Sequence, residues 1–203
     1  MNETLHDAFV DEIKDLYNAE KQLTKALPKL AKNATSETLR EALEAHLAET
    51  DVHIQRLEQI FELLDEKPRG KHCAGMAGII EEGNAMLEED FEGAVMDACI
   101  IAAGQRSEHY EMAAYGTCVA WAEALGLTEA AGLLNETLAE EKAADQKLSA
   151  IAEGDINEAA SAGAGDDDED EDAKAPASKQ TSQPAARASK SAKSPAASRR
   201  RAN

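Results

Sequence analysis

The chain has 203 residues, enough for one large domain or for one domain with an appendage. Aromatic residues make up only 3% of it, which disfavours β-sandwiches and β-barrels. Residues 1–154 hold 31 acidic and 13 basic residues, and the resulting net charge of −18 excludes an ordinary nucleic-acid-binding module. The three cysteines form no C-x-x-C motif, which excludes a thiolate zinc site and fits a reducing compartment.

Neither the first residues nor any apolar run indicates a targeting or membrane segment. The start, MNETLHDAFVDEI, has no basic region followed by a continuous apolar stretch, so we do not expect a signal peptide. The longest apolar run, ACIIAAG at 98–104, is too short to cross a bilayer. We therefore expect a cytoplasmic protein that makes no membrane contact.

Apolar residues recur at helical spacing along most of the first 154 residues. The spacing predicts helices over 3–33, 36–66, about 73–89, about 92–125 and 129–153. Pro28 is expected to kink the first helix or end it early. The segment 67–70, Gly126 and Gly154 are expected to end the second, fourth and fifth. Four long helices, paired by short connections, predict an all-α, antiparallel four-helix bundle with the short fifth helix in the crossover.

The composition changes after residue 154. Large aliphatic residues almost vanish, and an acidic run at 166–172 precedes a basic stretch. Such a segment cannot bury enough apolar surface to fold, so we predict a bundle over 1–154 and a disordered tail over 155–203. The basic end of the tail could contact nucleic acid weakly. The residues concerned are Lys190, Lys193, Arg199, Arg200 and Arg201.

Each of the four long helices carries acidic residues on its apolar stripe. Counting from the two predicted turns places these groups in one thin slab at the middle of the bundle. Carboxylates brought together in this way repel one another, and two divalent transition metal ions with a neutral histidine would compensate the charge. The two hairpins also repeat the pattern, at offsets of about 90 residues. The inward-facing residues predicted are Glu20, Glu49, His53, Glu108, Glu111, Glu141 and Asp145.

Four further side chains lie near this slab. Tyr17 and Tyr115 are a turn away from the acidic residues and either hydrogen-bond to them or simply pack. His46 and His109 lie beside the site, each as a surface group or as a hydrogen-bonding partner of the ligands.

Several stretches resemble one known family, the YciF-type group of bacterial ferritin-like proteins, over about residues 3–153. They are DLYNAEKQLTKALPKLAK, HLAETDVHIQRLEQIFELLDEKPRGK, EHYEMAAYGT and EEKAADQKL. The resemblance implies a ferritin-like fold, a carboxylate-rich dimetal centre, a homodimer and a link to stress. As cofactors we expect two divalent transition metal ions, iron or manganese, with zinc as another option. The resemblance implies as ligands Glu20, Glu49, His53, Glu108, Glu141 and Asp145, with Glu111 as a further one.

Two functions are compatible with these features. The first is a dimetal protein that acts on oxygen, a peroxide or ferrous iron during stress, as an oxidoreductase or peroxidase-like enzyme. The second is a non-catalytic, dimeric stress scaffold whose basic tail tethers it to nucleic acid or to a protein partner.

Overall fold

The computed structural model describes residues 4–162, and six α-helices account for most of them. This part of the chain contains no β-strand, and none of its helices combines the length and apolarity needed to span a membrane. The all-α prediction is therefore confirmed. The helices are α1 Leu5–Asn33, α2 Glu37–Leu63, α3 Ala74–Met86, α4 Gly93–Ala124, α5 Thr128–Ile151 and α6 Asn157–Ala162.

The four long helices form two antiparallel hairpins that pack side by side. Helix α1 contacts α2 and α4, and helix α5 contacts α2 and α4. The start of α1, around Phe9, packs with the end of α4, around Cys118, so these two helices are also antiparallel. Helices α2 and α4 consequently run in the same direction, and residues 64–92 must cross the length of the bundle between them. This crossover, which carries α3, gives the fold its ferritin-like topology.

Polar side chains fix the ends of the hairpins. The Asp97 carboxylate, in the second turn of α4, accepts hydrogen bonds from the Thr35 and Ser36 backbone N–H groups and from the Thr35 hydroxyl, at 2.5–2.9 Å. At the opposite end Gly126, at φ 73°, ends α4 in a left-handed conformation that favours glycine. Helix α1 continues through Pro28 to Asn33, so the early end expected at this proline does not occur.

The folded part extends beyond the expected boundary at Gly154. A π-helical turn, Ala152–Ile156, follows α5 and leads into α6, which contacts α4. The wider turn re-aims the chain so that Ile156, only 6% exposed, joins the core. The tail residues predicted to contact nucleic acid lie outside the described residues. They are Lys190, Lys193, Arg199, Arg200 and Arg201.

Two apolar clusters fill the bundle, one on each side of its middle. The first contains Phe9, Ile13 and Leu134 and lies toward the α4–α5 turn. The second contains Leu27 and Ile100 and lies toward the α1–α2 turn. Buried charged side chains occupy the level between the two clusters.

Candidate metal centre

Two overlapping groups of buried ligand-type side chains lie between the apolar clusters. Within each group, ligand atoms of all members lie within 4.8 Å of one another. Glu141 belongs to both groups, so one carboxylate joins them. The first group is His46, Glu108, Glu111 and Glu141, and the second is Glu20, His53 and Glu141.

The two oxygens of Glu141 face different histidines. His53 Nδ1 lies 2.9 Å from Glu141 Oε1 and 3.5 Å from Glu20 Oε1. His46 Nε2 lies 3.9 Å from Glu141 Oε2 and 3.3 Å from Glu108 Oε1. A carboxylate placed between two donor groups in this way can bridge two cations.

The centre concentrates polar atoms that have no hydrogen-bond partner. Among the described residues, eight buried side-chain nitrogen or oxygen atoms make no hydrogen bond of regular geometry, and all eight belong to these two groups. They include His53 Nδ1 and Glu141 Oε1, which face each other at 2.9 Å. Both oxygens of Glu111 and both of Glu141 are among them. Buried polar groups are almost always satisfied, so these atoms fit a centre in which metal ions are the missing partners.

Burial and mutual repulsion perturb the protonation of the metal-free cluster. Burial, reinforced by the charge of Glu141, raises the pKa values of Glu108 and Glu111 well above their ordinary range. Burial also raises the pKa of Glu20, although contact with His53 opposes the shift. Burial works to lower the pKa of His53, but its contacts with Glu141 and Glu20 raise it to about 10. Binding a cation must therefore displace protons from the cluster.

The ring nitrogen of His53 that points away from the centre is held by a charged pair. His53 Nε2 lies 2.9 Å from Glu140 Oε2, and the Arg56 guanidinium contacts both oxygens of Glu140 at 2.5 and 2.8 Å. In the neutral tautomer that donates Nε2–H to Glu140, the Nδ1 that faces Glu20 and Glu141 carries no proton and can act as a metal ligand. Sequence reasoning missed Glu140 and Arg56, since neither is on an apolar stripe.

Most of the predicted residues converge, but Glu49 and Asp145 do not join either group. The Glu49 side chain is 50% exposed, and its nearest partner in the centre is His46 Nδ1, at 3.5 Å. The Asp145 side chain is 19% exposed and contacts His109 and Gln105 at 3.2–3.3 Å. His46 lies inside the centre, where sequence reasoning had placed it only beside the ligands.

Helix geometry explains why His46 takes the place expected for Glu49. At 100° per residue, His46 and His53 are about 20° apart around α2, whereas Glu49 is about 60° from His46, at the edge of the buried stripe. The two tyrosines also differ. The Tyr115 hydroxyl donates to Glu20 Oε1 at 2.5 Å, but the Tyr17 hydroxyl donates to Glu58 at 2.7 Å and contacts no group of the centre.

An antiparallel four-helix bundle with a long crossover, and with carboxylates and imidazoles buried at its middle, defines a ferritin-like protein with a candidate dinuclear metal centre. The chain belongs to the family described as "Domain of unknown function (DUF892)", whose model matches residues 4–161. It is 46% identical to protein YciF of Escherichia coli (strain K12) over 158 residues, which cover 77% of this chain and 95% of that protein. The resemblance stated from the sequence is therefore confirmed.

Solved structures of two relatives share the fold. The crystal structure of the E. coli stress protein YciF matches with a TM-score of 0.74 at 46% identity, covering 76% of this chain and 98% of that chain. YcfI of Rhodopseudomonas palustris matches with a TM-score of 0.72 at 43% identity, covering 73% of this chain and 94% of that chain.

Proposed function

We propose that the protein binds two iron or manganese ions at the middle of the bundle and uses them in redox chemistry with oxygen, a peroxide or ferrous iron under stress. The observation that carries the proposal is the set of eight buried carboxylate oxygens and histidine nitrogens around Glu141 that make no regular hydrogen bond and could serve as metal ligands. The donor set, with four carboxylates and two imidazoles, suits iron and manganese and is richer in oxygen than the sites that zinc prefers. The description of the E. coli relative as a stress protein supports the physiological setting.

Bound iron or manganese would supply electrons to an oxidant through a change of valence. The side chains of this chain would hold and insulate the ions. Glu141, which belongs to both groups, would hold the ions together with His53 on one side and His46 on the other. The Tyr115 hydroxyl holds Glu20 in place through their short hydrogen bond. The apolar clusters above and below the centre exclude bulk water, which confines reactive species.

Metal stoichiometry tests the proposal directly. Protein purified without oxygen and mixed with ferrous iron should bind two ions per chain and should gain near-ultraviolet ferric absorption when oxygen or hydrogen peroxide is added. The Glu141→Gln variant should bind fewer than one ion per chain, because both groups lose a shared carboxylate. The Glu44→Gln variant, which changes an exposed carboxylate on α2, is the matched control and should bind two. A wild-type chain that binds no iron and no manganese would refute the proposal.

A further inference from the structure

A pocket between α2 and α5 leads from the protein surface to the candidate centre. Its volume is about 90 Å³. Two residues of the centre, His46 and Glu108, line it, and they are only 6% and 2% exposed. Two charged residues, Glu49 and Lys147, also line the pocket. The small side chains of Ala143 and Ala144 leave the space open.

A second pocket, on the opposite side of the bundle, also reaches Glu108 but is much narrower. It lies between α1, α3 and α4, has a volume of about 20 Å³ and is lined mainly by aliphatic residues such as Leu23 and Ile80. A water molecule needs roughly 10–15 Å³ of such space. The first pocket can thus hold several waters and the second about one, so the first is the wider of these two approaches to Glu108 for a hydrated cation.

Atoms that can bind a metal ion follow one another from the rim of the first pocket to the centre. The carboxylate of Glu49 is at the half-exposed end, and its Oε2 lies 3.5 Å from His46 Nδ1. On the other side of the ring, His46 Nε2 lies 3.3 Å from Glu108 Oε1. His46 Nδ1 and Glu108 Oε2 have no hydrogen-bond partner although both are buried. A cation moving inward could therefore exchange its waters for protein donors one at a time.

We infer that this pocket is the entrance for divalent transition metal ions and that Glu49 is the residue on which they dock before they reach the buried ligands. The inference rests on the proposed function, because it needs a centre that binds metal. The role of Glu49 is kinetic. A docking carboxylate speeds entry and exit equally, so it changes the rates of binding and release but leaves the affinity and the stoichiometry unchanged. Lys147, at the same rim, opposes the approach of a cation.

Cobalt(II) is a suitable probe, because its visible absorption reports the ligands around it. In stopped-flow mixing, Glu49→Gln should slow Co²⁺ loading by about threefold or more, and a chelator should extract the metal more slowly by the same factor. The endpoint should remain two Co²⁺ per chain with an unchanged dissociation constant and spectrum. Asp51→Asn removes an equal charge from an exposed position of α2 two residues away and should load at the wild-type rate.

Two further variants, Ala144→Leu and Lys147→Gln, test the pocket itself, and Ala139→Leu is a control. Ala144→Leu fills the wall and should slow both loading and release, whereas Ala139→Leu, on the exposed face of the same helix, should change neither. Lys147→Gln should accelerate loading, an effect of opposite sign that no general loss of stability would produce. Raised salt should slow the wild type more than Glu49→Gln.

The outcomes separate the entrance from the centre. If Glu49→Gln lowers the affinity or the stoichiometry, Glu49 is a ligand and the inference is wrong. If the wild type binds two Co²⁺ but Glu49→Gln and Ala144→Leu both load at its rate, the cation enters elsewhere, and the proposed function stands without this entrance. If the wild type binds no Co²⁺, Fe²⁺ or Mn²⁺, the proposed function fails and the entrance fails with it.

Discussion

Replacing Glu111 by glutamine removes one ionisable group from the centre and nearly preserves the size of the side chain. Glu111 is fully buried, and both of its oxygens lack a partner. Burial and the charges of Glu141, Glu20 and Glu108 raise its pKa well above the ordinary value of 4.5. In the metal-free protein this carboxyl therefore keeps a proton that it loses when the chain unfolds.

The sign of the pH dependence follows from this difference. A carboxyl group whose folded pKa is raised stabilises the fold most at low pH, and that contribution is lost as the pH rises toward the folded pKa. Glu108 and Glu20 act in the same direction. His53, raised from 6.5 to about 10, also favours the fold at low pH and loses its contribution as the pH rises through 10. The lowered pKa of Glu141 gives the opposite sign, but only as the pH falls below about 4.5, outside the range of interest.

The magnitude can be set from the linkage relation. Each proton that is held in the folded state and lost on unfolding costs about 1.4 kcal/mol of stability per pH unit. Each pH unit above the ordinary pKa over which such a proton is retained is therefore a noticeable part of the roughly 5–15 kcal/mol that stabilises an ordinary domain. The metal-free wild type should thus be clearly less stable at pH 8 than at pH 5.

Urea unfolding of chelator-treated protein at several pH values measures this effect. Glu111→Gln should differ little from the wild type at pH 5, should be the more stable at pH 8, and should reduce the slope of unfolding free energy against pH by about one proton. Asp51→Asn, at an exposed position, should leave the slope unchanged. With saturating Mn²⁺ the wild type should instead gain stability as the pH rises, because protons compete with the metal. A metal-free wild type that gains stability steadily from pH 5 to pH 8 would refute the reasoning.

Four shorter predictions test other features. Asp65, just after the end of α2, has a left-handed backbone conformation at φ 53°, which favours glycine. Asp65→Gly should therefore raise the free energy of unfolding in urea by about 0.5–1 kcal/mol without changing the metal content. Glu140→Gln should weaken Mn²⁺ affinity by about tenfold or more, since the Arg56–Glu140 pair orients His53, whereas Glu136→Gln, farther from the ring, should not. Ile156→Ala should lower the free energy of unfolding in urea by about 2–4 kcal/mol, because Ile156 is buried in the core. If the folded part ended at Gly154, the variant would change this free energy by almost nothing. A chain that ends after Ala162 should keep the melting temperature and metal content of the full chain but lose any weak, salt-sensitive retention of DNA.

Helical spacing was enough to predict the four long helices and the short crossover helix α3, with boundaries correct to within about three residues. Several boundaries have a local signal, such as Ser36, which caps the start of α2, and the left-handed Gly126 after α4. Gly154 misled the prediction, since a glycine can also lie within a π-helical turn that lets the chain continue. At Pro28 the predicted range of 3–33 agrees with α1, and of the two expected effects of the proline the early end does not occur, because the packing of α1 against α2 and α4 overrides a local tendency to end the helix.

For the residues of the centre, the sequence predicted their positions along the bundle axis better than the directions in which their side chains point around each helix. Glu20, Glu108, Glu111 and Glu141 are fully or almost fully buried, as their stripes indicate. A stripe pattern cannot rank residues near its edge, because a rotation of about 60° separates a buried side chain from one at the surface. It therefore could not choose between Glu49 and His46. The choice depends on how α2 is rotated against α5, which only the packed bundle determines.

The neighbouring residues Glu140 and Glu141 illustrate how one helix can supply two different functions. They differ by one step of about 100° around α5, so Glu141 points between the two histidines while Glu140 remains 36% exposed at the outer edge of His53. The inner carboxylate is buried between groups that could hold a metal ion, whereas contact with Arg56 lowers the pKa of the outer one and favours its charged form. The buried polar groups that lack regular hydrogen bonds at the middle of the bundle oppose folding, and the apolar clusters on either side must offset that cost. If the proposed metal ions bind at this level, they should stabilise the fold, and metal supply and folding stability should then be coupled.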